Sequence, residues 1–86
     1  MSNNDLAPTA YAMCHYIVSS IVDNKEATNV TASAINDNFV RLDVQVADGQ
    51  LGRVIGKRGR VAHAIRTLVQ AAGSRDGKDI AVEFVD

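Results

Sequence analysis

Apolar positions recur along the chain with two periods, and each switch of period marks an element. Leu6, Ala10, Met13, Cys14, Ile17 and Ile21 return at helical spacing, with Val18 and Val22 broadening the stripe. Pro8 suits the opening turn, where its missing N–H is no loss. The spacing predicts a helix over residues 8–22, which Asp23 and Asn24 break. Residues 28–35 are β-branched or small and predict a weak strand. Asn36, Asp37 and Asn38 supply a turn, and strict alternation follows over residues 39–46. Val40, Leu42, Val44 and Val46 lie on one face of that segment and Arg41, Asp43 and Gln45 on the other. The pair reads as an antiparallel hairpin.

A short apolar piece comes next, with Leu51, Val54 and Ile55 on one face and Asp48 available as N-cap. Gly56, Lys57, Arg58 and Gly59 interrupt it. Val61, Ala64, Ile65, Leu68, Val69 and Ala72 then predict a long helix that ends near Gly73, read as a left-handed residue after the last turn. Residues 74–79 read as a loop. A final strand places Ile80, Val82 and Phe84 on one face and Ala81, Glu83 and Val85 on the other. The order is α-β-β-α-α-β, an α+β arrangement in which helices cover one apolar face of a three-stranded sheet. The chain of 86 residues has room for one domain. It divides into an N-terminal extension, residues 1–8, and the domain, residues 9–86.

The formal net charge of −1 argues against binding polyanions through bulk charge. Its distribution changes that picture. Residues 1–48 hold two basic side chains against six acids, and residues 76–86 hold one against four. Between them, residues 49–75 carry six cations and no acid: Arg53, Lys57, Arg58, Arg60, Arg66 and Arg75. A single cysteine, Cys14, excludes an internal disulfide framework. With no long apolar run and no signal-like N-terminus, the chain reads as soluble and cytoplasmic, with no membrane association.

The cationic segment contains Val54-Ile55-Gly56-Lys57-Arg58-Gly59-Arg60-Val61, two glycines around two cations between two helices. Residues without a Cβ let backbone approach a phosphate, and the amides opening the second helix favour an anion. Cations at a helix N-terminus oppose the macrodipole by about 0.3–1 kcal/mol each. Lys57, Arg58 and Arg60 therefore gain from an anionic ligand. A bare G-x-x-G is common by chance, and Gly49 with Gly52 forms another in this chain. What distinguishes the second one is its place between helices inside an acid-free basic stretch.

With its element order, this motif resembles the K-homology (KH) domain, type II, of the small bacterial KhpA kind, over residues 11–86. The resemblance implies a non-catalytic protein that clamps short single-stranded RNA through the GXXG loop and acts in post-transcriptional regulation. By position it implies that Gly56 and Gly59 flank a phosphate-contacting turn, with Lys57 and Arg58 as its outward cations. Arg53 and Arg60 become flanking phosphate contacts. Val54 and Ile55 become an apolar groove wall under the bases, with the strand over residues 39–46 opposite. It also implies a homodimer, or pairing with another KH-containing protein. Ala62, Ala71 and Ala72 on the long helix are candidates for that contact, although core packing is the commoner use of alanine. Arg66 and Arg75 read as solvated helix charges.

Other chemistries lack their residues. The Walker A spacing G-x-x-x-x-G-K-[ST] is absent, as is G-x-G-x-x-G. His15 and His63 have no partners at metal-ligand spacing, and Cys14 lies on the apolar stripe. No cofactor is expected. An RRM needs sheet aromatics in the RNP pattern and an OB-fold needs five strands, and neither fits. Two rivals stand beside RNA clamping: a protein-interaction scaffold with incidental RNA contact, and a single-stranded DNA binder.

Overall fold

The computed structural model describes residues 6–85, so residues 1–5 of the expected extension, and Asp86, lie outside the described residues. The elements are α1 (Pro8–Ile21), β1 (Asn29–Asn36), β2 (Phe39–Gln45), α2 (Leu51–Ile55), α3 (Arg60–Arg75) and β3 (Asp79–Val85). Single 3₁₀ turns at Lys25–Ala27 and Lys57–Gly59 lead into β1 and α3. Of the expected extension, Ala7 is buried and Leu6 packs against the core, so tertiary packing starts ahead of residue 9.

The sheet order is β1-β2-β3. β1 and β2 form the antiparallel hairpin, with an irregularity between Ala34 and Asn36 as the chain enters the turn. Asn36 closes that turn by accepting the Asn38 N–H on its side-chain oxygen at 2.9 Å. β3 lies parallel to β2, with Val40 opposite Ile80, Leu42 opposite Val82 and Val44 opposite Phe84. A parallel neighbour requires a crossover, which α2 and α3 supply. One face of the sheet is therefore covered by helices, and along β2 the alternation read from sequence holds, with Val40, Leu42 and Val44 buried.

α1 buries Ala10, Cys14 and Val18, one residue per turn, and packs against α3. α3 buries Ala62, Ile65, Val69, Ala72 and Gly73. Leu42, Val18, Ile65 and Val69 are among the largest fully buried side chains, each contributing about 1.5–3 kcal/mol relative to exposure.

Several expectations need correction. α3 runs on to Arg75, beyond Gly73, and the left-handed residue at its end is Gly77, at φ 69°. Gly73 serves packing: a Cβ there would stand 2.3 Å from Cγ1 of Ile80 and 3.1 Å from the Lys78 carbonyl oxygen. Asp48 does not cap α2, whose N-cap position is Gln50 with no side-chain hydrogen bond. Ala62 and Ala72 are buried in the core and unavailable to a partner, whereas Ala71 is exposed. Among the described residues, no helix is long and apolar enough to cross a membrane.

Candidate nucleic-acid interface

The turn between α2 and α3 is built by backbone that few residues tolerate. Gly56 adopts φ 74°, ψ 176°, a region essentially restricted to glycine. A Cβ on it would lie 2.3 Å from Cγ2 of Val61, so conformation and space both exclude a side chain. Arg58 sits at φ 58°, ψ 25°, left-handed for a residue with a side chain, which costs about 1–2 kcal/mol. Gly59 is left-handed too, at φ 73°, and occupies the N-cap position of α3. Its N–H reaches the Gly56 carbonyl at 3.2 Å, closing the turn.

With glycine at the N-cap, α3 begins without a side-chain cap and without an acid in its first turn. Its opening amides are left for solvent or a ligand. Lys57, Arg58 and Arg60 are exposed around this end, and among the described residues none of them makes a salt bridge. The corner therefore combines amide donors, the positive end of a 16-residue helix dipole and three unpaired cations.

The remaining expected contacts divide. Ile55 is half-buried at the end of α2, beside the turn. Val54 is fully buried, at 0% exposure, so it cannot touch a base; it anchors α2, and with it the turn, to the core. Arg53 is exposed, but its guanidinium is held by Asp23 at 3.2 Å. The strand expected to face the turn, β2, is the middle strand, bordered by β1 and β3. Its helix-side residues are buried and its polar residues lie on the opposite face, so it cannot form an open wall.

The strand beside α3 with an unpaired edge is β3. Arg66 Nε donates to the Val82 carbonyl at 3.1 Å and Gln70 Nε2 to the Ile80 carbonyl at 3.3 Å. The Arg66 guanidinium carbon also stands 5.2 Å from the centroid of the Phe84 ring. Arg66 is thus not a free solvated charge; it ties α3 to the outer strand. Sequence pattern had no means of showing this, since the 16-residue separation of Arg66 and Val82 becomes a contact only when β3 packs under α3.

A surface concavity of about 530 Å³ lies along α1, lined by Tyr11, His15, Tyr16 and Lys25 among others, and includes no residue of the turn. Among the described residues, no group of three His, Cys, Asp or Glu side chains could hold a metal ion.

Known proteins resemble the chain over most of its length. The sequence profile of the family described as "KhpA/KhpB, KH domain" matches residues 12–84. The chain is 41% identical to the RNA-binding protein KhpA of Listeria monocytogenes over 70 residues, covering 81% of this chain and 91% of the relative. It is 39% identical to that of Caldanaerobacter subterraneus over 69 residues (80% and 91%). With that of Chlamydia trachomatis it shares 35% identity over 71 residues (83% and 90%). No solved structure matches it significantly.

Proposed function

The chain belongs to the KhpA/KhpB family of KH domains, and on that footing we propose that it is a non-catalytic protein that holds short single-stranded RNA across the Gly56-Lys57-Arg58-Gly59 turn. The observation that carries the reading is the uncapped start of α3, ringed by Lys57, Arg58 and Arg60, none of which is paired with a carboxylate among the described residues. The strain at Arg58 belongs to the same picture: a left-handed backbone turns a cation outward at a corner where amides already favour an anion. The RNA backbone lies on the turn, and its bases point along the seam between α3 and β3, toward Arg66 and Phe84.

Affinity from such a corner is modest. About three phosphate contacts give a log-log salt slope near −2 on single strands. A second copy, or another KH-containing protein, raises it by linking two grooves. Leu68, 50% exposed on α3 and flanked by exposed Ala64 and Ala71, supports that face as the contact. Leu68→Glu is then expected to shift sedimentation toward the monomer while circular dichroism stays native.

The deciding experiment replaces Lys57 and Arg58 together by Asp and titrates labelled single-stranded RNA and matched DNA by fluorescence anisotropy. Both residues are exposed, so the fold survives. RNA affinity is expected to fall at least tenfold. Undiminished RNA binding with native circular dichroism moves the chain to a protein-interaction scaffold, and equal binding of the DNA makes it a general single-strand binder.

A further inference from the structure

One carboxylate reaches into the cationic segment. Asp23 lies just beyond α1, after buried Val22, and its Oδ2 stands 3.2 Å from Nη2 of Arg53 on α2. It is placed there by a second contact: its backbone N–H donates to Oε1 of Gln50, at the start of α2, at 2.9 Å. Core anchorage on one side and the Gln50 bond on the other hold the acid over α2, three residues ahead of the turn. Among the described residues it is the only acid in a salt bridge with any of the six cations of residues 49–75.

The pair is open to water, with the two side chains 54% and 69% exposed. Such pairs are weak and screened by salt. A phosphate arriving from the turn meets Arg53 already neutralised, and contact with it gains little until the pair is given up.

We propose that Asp23 limits the reach of the RNA clamp by competing with a backbone phosphate for Arg53, so that the bound strand is held by the turn but not by α2. The proposal rests on the RNA-binding reading above and adds to it a built-in negative determinant of affinity. Arg53 is then a fourth cation held in reserve, released when Asp23 is neutralised.

The test is a double-mutant cycle on the full chain, read by anisotropy of a labelled single-stranded RNA over a salt series. Asp23→Asn is expected to tighten binding about 2- to 5-fold near 50 mM salt. It is also expected to steepen the log-log salt slope by about 0.7, the increment for one further phosphate on a single strand. In an Arg53→Gln background the gain disappears. Asp37→Asn, the same charge change at the hairpin tip, leaves affinity unaltered. Unchanged or weaker binding by Asp23→Asn overturns the proposal, as does a gain that persists without Arg53 or that Asp37→Asn reproduces. The underlying reading fails separately, through undiminished RNA binding by the Lys57/Arg58 double variant.

Discussion

Oδ2 of Asp76, at the end of α3, accepts the backbone N–H of Ala10 at 2.9 Å, and Oδ1 of the same carboxylate accepts that of Thr9 at 3.1 Å. The N-cap position of α1, Ala7, offers no side-chain acceptor, so the cap comes from 66 residues away. One charge satisfies two orphan amides and complements the dipole of α1 while joining the two long helices. Asp76→Ala is therefore expected to cost about 1–3 kcal/mol, the range for caps and charge-assisted hydrogen bonds. Asp76→Asn keeps one acceptor and loses less. Urea unfolding of both variants measures the difference, and a loss below about 0.5 kcal/mol for Ala would show the contact to be incidental.

Gly73→Ala tests packing against propensity. In an exposed helix the change gains about 1 kcal/mol. Here the new methyl meets Ile80 at 2.3 Å and a net loss of about 1–3 kcal/mol is expected. Combined with Ile80→Ala it should cost less than the two single losses added, because they share one space. Strict additivity in the thermal midpoints would remove Ile80 as the cause.

The turn separates strain from sterics. Gly59→Ala meets nothing within 4 Å and carries only the left-handed penalty of about 1–2 kcal/mol. Gly56→Ala adds a collision with Val61 and is expected to be the more damaging of the two.

Arg58→Gly relieves the strain at that position, so stability should hold or rise by up to about 1 kcal/mol. RNA affinity should fall at the same time. Stability and binding moving in opposite directions is the signature of a residue kept for its ligand, and a matched fall in both would instead give Arg58 a structural role.

Burial pushes the Cys14 thiol up to about 12 from its ordinary 9.0. The folded chain keeps this proton after the unfolded chain has lost it, so its contribution is intact below pH 9 and drains away as pH rises toward about 12. Each unit inside that window removes about 1.4 kcal/mol. Cys14→Ala is expected to show a shallower alkaline decline than the parent, by chemical denaturation at stepped pH. Thiol reagents at neutral pH should label the parent only as it unfolds.

Much of this was legible in the chain, and the reasons are local. Val40, Leu42 and Val44 alternate because successive side chains of a strand face opposite ways, and Ile65, Val69 and Ala72 recur because a helix repeats every 3.6 residues. Element types and order, and the bare cationic turn at residues 56–59, follow from such short-range rules. Tertiary structure alone decided that β3 lies parallel beside β2, that Gly73 makes room for Ile80, and that Val54 is sealed in the core. It alone brought Arg66 to Phe84, Asp76 to Ala10 and Asp23 to Arg53. These are meetings between segments far apart along the chain. Periodicity records which way a side chain faces and leaves open which distant residue it will meet, because that choice is made only when the helices settle on the sheet.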